Sequence, residues 1–249
     1  MMNLGDRMKR YEEVTDGKLI RRMPVIVRLD GCHFHTVTRG LDKPFDAGMM
    51  YAMIGTMLSV CGVAQGCVLG YTQSDEITLV LCDYQTFDTD SWFQNRIQKI
   101  CSVSASTASV AFMKWLDMYV SDAKERGVDV DKYVKILDNG VCFDARCFNV
   151  PKEDVCNNMI WRQQDATRNS ILGLAQSLYS HKELQGISCK ALQDKMLVEK
   201  GVNWNDLEIP KKRGICAVKG TDGWIADYGI PIFSQDRGYV ESRIVFEEA

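Results

Sequence analysis

The chain has only three histidines among its 249 residues, and no Cys-x-x-Cys pair. Zinc centres are built from those two residue types at short spacings, so none is expected. No apolar run reaches about 18 uninterrupted residues, which excludes a helical membrane span. The opening Met1-Met2-Asn3-Leu4-Gly5-Asp6-Arg7 lacks the apolar core of a secretory leader, and none is expected. There is no internal repeat and no low-complexity tract. Positive charge is not in excess either. The net charge of −3 argues against blanket electrostatic binding of nucleic acid. Local basic faces stay open at Arg7, Lys9 and Arg10 and at Lys211-Lys212-Arg213, although solvated surface charge is the commoner role of such clusters.

Apolar residues make up 46% of the chain, ample for a sizeable core. Cysteine is plentiful: Cys32, Cys61, Cys67, Cys82, Cys101, Cys142, Cys147, Cys156, Cys189 and Cys216 are scattered through apolar runs. They read as reduced buried thiols of a cytoplasmic protein rather than a disulfide framework.

Two acidic signals stand out. Arg28-Leu29-Asp30-Gly31 closes the apolar run Val25-Ile26-Val27, and Gln73-Ser74-Asp75-Glu76 precedes the β-rich run Ile77-Thr78-Leu79-Val80-Leu81. Each puts a carboxylate at the edge of a predicted buried strand, where bare carboxylates are rare unless paired or bound to metal. Two such carboxylates that converge can hold two Mg²⁺ ions, the arrangement used for nucleotidyl transfer. The plainer alternative is that each Asp is a strand-end turn residue. In extended backbone Glu76 points away from Asp75, so it serves as a direct catalytic carboxylate only through a bend in the turn, and otherwise as a supporting or structural one. Ser74 donates either to a phosphate or to the turn. The backbone of Gly31-Cys32-His33-Phe34-His35 suits a triphosphate cradle. Its imidazoles do not suit Mg²⁺, and Phe34 reads as core.

The pattern predicts strands at 24–29, 66–72, 77–82 and 141–149. It predicts helices at 47–63 (capped by Asp46), 90–121, 151–180 and 188–200, the last closed by Gly201. Two further strands are expected at 213–219 and 240–247. The front half therefore reads β-α-β-β-α-β, the ferredoxin-like α+β order. In that order the first and third strands are neighbours, so Asp30 and Asp75 meet despite forty-four intervening residues. Residues 1–150 are expected to form a palm-like catalytic domain, and 151–249 a helical and β extension packed on it. Trp161, Phe143 and Trp115 are expected as core anchors.

Asp6-Arg7-Met8-Lys9 with Tyr11-Glu12, the two acidic signals, and Lys43-Pro44-Phe45-Asp46 form part of an ordered series. Trp92-Phe93 with Arg96 and Lys99, Phe143-Asp144-Ala145-Arg146 and Trp161-Arg162-Gln163-Gln164-Asp165 complete it. In this order they resemble the tRNA-His guanylyltransferase family, the 3′–5′ RNA polymerases, over nearly the whole chain. The resemblance implies a polymerase-like palm. It implies two Mg²⁺ ions on Asp30, Asp75 and the Gly31 carbonyl, with ATP, GTP and other nucleoside triphosphates as substrates. tRNA is the implied partner and a homotetramer the implied assembly.

In that family the incoming nucleotide's 3′-hydroxyl attacks an activated 5′ end, releasing AMP or pyrophosphate. Lys43 is then the triphosphate lysine, and Asp46 contacts a guanine edge or only caps its helix. Arg96 and Lys99, three apart on a predicted helix, join Arg146 to hold a second triphosphate or the tRNA 5′ end. Asn169 and Lys190 would serve the same phosphates, and Cys32, His33, Phe34 and Ser74 the nucleotide. Thr167-Arg168-Asn169-Ser170 departs from the eukaryotic His-Ile-Asn-Asn. It resembles the bacterial, archaeal and phage branch, whose members mostly repair 5′-truncated tRNAs. The alternatives are addition of a single G, a palm-domain nucleotide cyclase, and a non-catalytic RNA-binding protein.

Overall fold

The β-branched run from Val25 enters β1 (Val25–Gly31), an interior strand of one antiparallel sheet, in a computed structural model that describes residues 2–246. The other strands are β2 (Cys67–Gln73), β3 (Glu76–Leu81), β4 (Phe143–Asn149), β5 (Ile215–Gly220) and β6 (Gly223–Asp227). Their spatial order is β4-β1-β3-β2-β5-β6. The first four strands in that order make the expected ferredoxin-like sheet, and the last two extend it from the hairpin side.

The helices are α1 (Leu4–Glu13), α2 (Phe34–Val37), α3 (Ala47–Val63), α4 (Ile97–Glu125) and α5 (Asp131–Asn139). They continue with α6 (Val155–Leu178), α7 (His181–Leu184), α8 (Cys189–Lys200), α9 (Ile209–Arg213) and α10 (Gly238–Glu241). None among the described residues is long and apolar enough to cross a membrane.

Side chains alternate across a pleated sheet, so β1 feeds two cores. Val25, Val27 and Leu29 join Ile77 and Leu79 beneath Met57 and Val60 of α3 and Phe112 and Leu116 of α4. Ile26 joins Tyr71, Val80 and Cys216 against Val155 and Met159 of α6. Each fully buried Leu, Ile or Val contributes about 1.5–3 kcal/mol. A third, smaller cluster links the far half of α6 (Ile171, Leu174) to Leu192 and Met196 of α8.

The structure corrects two of the predicted elements. The helix expected from 90 begins only at Ile97, because Phe93, Gln94 and Asn95 hold φ of +50°, +53° and +61° in a tight left-handed turn. The stretch expected as a strand from 240 is instead the end of α10 and a turn. Val240 and Ile244, four apart, are both buried against the α6 side of the sheet. A short apolar run fits helix and strand alike until packing decides. Glu247, the end of that stretch, lies outside the described residues. Trp161 also departs from expectation. It is 51% exposed, whereas Phe143 is buried.

Gly214, between α9 and β5, holds φ +84° and ψ −168°. A Cβ there would lie 2.6 Å from the Thr72 carbonyl oxygen. Both the dihedral and the approach require glycine. Gly214→Ala is expected to cost about 2–3 kcal/mol in urea denaturation. An unchanged midpoint would contradict this account of the loop.

Candidate active site

Antiparallel pairing sets Asp30 directly opposite Glu76 of β3 on one side and Asp144 of β4 on the other. Residues two apart on a strand share a face, so the next row on that face is Arg146, Arg28 and Thr78. A row of three acids thus borders a row with two arginines. Asp75 sits in the β2–β3 turn beside Ser74, whose Oγ donates to Asp75 Oδ1 at 3.0 Å. The Gly31 N–H donates to the Asp75 carbonyl at 3.0 Å. The turn is thereby fastened to the end of β1, and Asp30 and Asp75 are brought together. Gly31 is required here, because a Cβ on it would meet the Phe34 ring at 2.3 Å.

The three acids differ in how they are balanced. Glu76 is 8% exposed. Its Oε1 accepts from Arg162 Nε at 2.6 Å and its Oε2 from Arg162 Nη2 at 2.9 Å. Arg162 Nη2 also donates to Asp165 Oδ2 at 2.9 Å. Burial pushes the Glu76 carboxyl up, while the Arg162 and Arg28 guanidiniums pull it back. Both of its oxygens are thus committed to an arginine of α6. This engagement fits the supporting carboxylate that the sequence left open beside a direct catalytic one. Asp30 has no such partner. Partial burial, then the charges of Asp75 and Asp144, push its carboxyl up, against weaker pull from Arg146 and Arg28. It is a carboxylate short of positive charge.

Beside this pair opens a cleft of about 390 Å³. Its floor is apolar, from Pro44, Phe45, Met49, Met50, Met53 and Ile54. Its rim carries Lys43, Ser74, Asp75 and Asn169. An apolar slot with a few convergent polar groups is the usual form of a nucleotide-sized site. Phe34 lends an edge to the cleft but is chiefly core, with its ring 5.5 Å from Phe112 and 5.2 Å from Phe143.

Several expected nucleotide contacts sit differently. Asp46 is buried and fully occupied: Oδ1 accepts from Met49 N at 2.9 Å and Tyr133 Oη at 2.8 Å, and Oδ2 from Asp42 N at 3.2 Å and Lys132 Nζ at 3.0 Å. Burial opposes its ionisation, but these donors outweigh burial and hold the carboxyl below its usual value. Its carboxylate caps α3 and has no lone pair left for a base. The Cys32 N–H is spent on the Cys142 carbonyl at 2.8 Å, so it is not free for a phosphate. His33 is exposed and holds φ +57° ahead of α2.

Arg96 precedes α4 instead of lying on it. It pairs with Asp16 at 3.2 Å, next to the Val25–Asn149 end of the sheet, opposite from Asp30. Lys99 lies over the Phe93 ring at that same end. Lys190 is exposed on α8, away from the cleft. Arg146 stays near the acids but on the open sheet face. Lys211 and Arg213, offered by the sequence only as part of a local basic face, line the cleft together with Lys43; Arg213 Nε is buried without a hydrogen-bond partner. The run Lys211-Lys212-Arg213 was their only signal.

A family model described as tRNA(His) guanylyltransferase matches residues 5–151, which include β1 to β4 and all three acids. The chain belongs to that family. A bacterial tRNA(His) guanylyltransferase-like protein in complex with ATP is 44% identical, covers 98% of this chain and 100% of its own, and superposes with a TM-score of 0.87. A second such bacterial protein, in complex with GTP, is 39% identical, covers 96% and 98%, and superposes with a TM-score of 0.80. An uncharacterized protein of Acanthamoeba polyphaga mimivirus is 29% identical over 87% of this chain and 77% of its own length. Like other members of the guanylyltransferase family, this chain is a nucleotidyltransferase built on a palm-like fold.

Proposed function

We propose that this guanylyltransferase-family member is a template-dependent 3′–5′ nucleotidyltransferase that rebuilds the 5′ end of truncated tRNA. The observation that carries the reading is Asp30, short of positive charge, held beside Asp75, which lines a nucleotide-sized cleft. Likeness to guanylyltransferase-like proteins in complex with ATP and GTP supports a nucleoside triphosphate as the occupant. Thr167-Arg168-Asn169-Ser170, in place of the eukaryotic His-Ile-Asn-Asn, supports repair over addition of a single G.

Mg²⁺ fits the donor set. Asp30, Asp75 and the Gly31 carbonyl would hold it through oxygen alone, and the acids flanking Asp30 leave it in want of a cation. When bound, Mg²⁺ makes the attacking 3′-hydroxyl more acidic and neutralises phosphate charge. The protein's own part is placement. The apolar floor of the cleft takes the base. Lys43, Lys211 and Arg213 face the phosphates as fixed positive charges. The Gly31–Asp75 bond and the Glu76–Arg162 pair keep the two strand ends in register. The incoming 3′-hydroxyl oxygen forms a bond to the 5′-phosphorus of the RNA as the bond to its AMP or pyrophosphate leaving group breaks.

The test is extension of a 5′-truncated tRNA, bearing either a 5′-monophosphate or a 5′-triphosphate, with Mg²⁺ and all four NTPs. Growth at the 5′ end that follows the opposite strand, and that vanishes in Asp75→Ala, is the expected result. No growth on either RNA would sink the repair reading. A cyclic product from NTP alone would replace it with a cyclase.

A further inference from the structure

Two thiols that the proposed reaction does not use lie in contact. Cys101 on α4 and Cys147 on β4 place their sulfurs 3.7 Å apart. Both are on the α4 side of the sheet, where Cys147 packs with Phe143 in the core and Cys101 borders it. Asp144 is an odd number of residues from Cys147 along β4, as is Arg146, so both face the other side. Neither sulfur lines the cleft. The pair therefore stands apart from the site described above.

The two sulfurs differ in access. Cys147 is buried, whereas Cys101 is only half-buried. Burial, then the neighbouring Cys101 sulfur, push the Cys147 thiol up to about 12. The thiolate is the form that attacks an oxidant, so Cys101 reacts first and Cys147 is the sulfur held beside it. An accessible sulfur poised next to a resolving one is the arrangement of redox-responsive cysteines. Cys61 and Cys67 are also neighbours, but both are sealed in the core and neither meets an oxidant.

We propose that Cys101 and Cys147 are a reversible redox pair, closed to a disulfide by hydrogen peroxide and reopened by a thiol. The Cys101 sulfur attacks the O–O bond, giving a sulfenic acid and one water. The Cys147 sulfur then attacks the sulfenic sulfur. The S–S bond forms as the S–O bond breaks, and the hydroxide leaves with the Cys147 proton as a second water. Two thiols thus lose two electrons and two protons, and one peroxide becomes two waters. A disulfide is about 2.0 Å long, so the two sulfurs have about 1.7 Å to close. The closed loop spans a separation of 46 residues and holds most of α4, all of α5 and the first half of β4. Closing so long a loop restricts the unfolded chain, so oxidation stabilises the fold.

The experiment treats the full chain with hydrogen peroxide, blocks the remaining thiols and maps crosslinked peptides by mass, with melting curves before and after. The expected product is a peptide pair joined through Cys101 and Cys147, two hydrogens lighter than the separate thiols. The Tm is expected to rise by about 10 °C. Dithiothreitol should reverse both changes. Cys147→Ala should leave Cys101 as a sulfenic acid that dimedone traps. Cys101→Ser should leave Cys147 unmodified, and neither variant should gain in Tm. The serine stands at a half-buried position, so the test holds even if the core alanine fails to fold. Oxidation of wild-type Cys101 that halts at sulfenic or sulfinic acid, with Cys147 still a thiol, would overturn the proposal. So would a bond formed instead between Cys32 and Cys142, whose backbones meet at the ends of β1 and β4. A disulfide between Cys101 and Cys147 that leaves the Tm unchanged or lowers it would also overturn it.

Discussion

Asp30→Asn is expected to lower nucleotide addition by about a thousandfold or more, while the metal-free protein melts no lower than wild type. Removing one anionic ligand forfeits several kcal/mol of transition-state charge stabilisation, and about 4 kcal/mol is a thousandfold in rate. The stability half of the prediction has the opposite sign to an ordinary active-site defect. The Asp30 carboxyl is raised by burial and by Asp75 and Asp144, so its ionised form is disfavoured in the folded state. A carboxyl raised on folding leaves the protein most stable when protonated. Stability is lost as pH climbs from the unfolded value through the folded one. Asn has no charge to ionise, so its advantage should appear only above that range and vanish in acid.

Added Mg²⁺ should raise the wild-type Tm by mass action and leave Asp30→Asn unmoved. Melting curves with and without Mg²⁺ at two pH values check all of this, apart from any activity assay. A variant that melts well below wild type at neutral pH without metal would show that Asp30 is structural.

Arg162→Ala should be the most destabilising single change at the site, by about 3–5 kcal/mol. The arginine is 5% exposed and binds both oxygens of a carboxylate that is itself 8% exposed. Without it Glu76 stays buried with an uncompensated charge. Arg162→Lys keeps the charge but loses the two-pronged geometry, and should recover only part. Burial already raises the Glu76 carboxyl, and Arg162 is the main group opposing that. Deleting Arg162 raises it further. The variant's deficit is then small in acid, where Glu76 is protonated in both states, and grows as pH rises through the folded value. Combining Arg162→Met with Glu76→Gln removes both charges and should restore much of the loss, because the two residues act as one unit. Urea denaturation of the single and double variants at acid and neutral pH decides it. Additive losses would show that the pair is not coupled.

Strand runs, helix caps and turn signals were legible because they are local. Val25-Ile26-Val27 and Ile77–Leu81 carry β-branched side chains that bury on both faces, and Asp46 caps α3 by a bond three residues long. Alternation alone placed Glu76 away from Asp75. Its partner Arg162, 86 residues on, was invisible, because no local rule links a strand edge to a helix that distant. Arg96 and Lys99 misled for a related reason. A three-residue spacing implies a shared helix face only inside a helix, and the left-handed residues at 93–95 delay its start. Lys211 and Arg213 read as surface charge because only the β5 extension of the sheet carries them to the cleft. Trp161 read as core because large aromatics usually are, yet α6 turns it toward the open edge over β4.

The sequence by itself determined the βαββαβ order, and with it the meeting of Asp30 and Asp75. Period-2 alternation and short-range turns admit few ways to build that sheet. Only the tertiary structure decided which carboxylates are balanced. Glu76 and Asp46 are spent on Arg162, Tyr133 and Lys132, whereas Asp30 is left short of positive charge. Charge balance depends on distances between residues far apart in the chain, and those exist only once the sheet and its helices have packed.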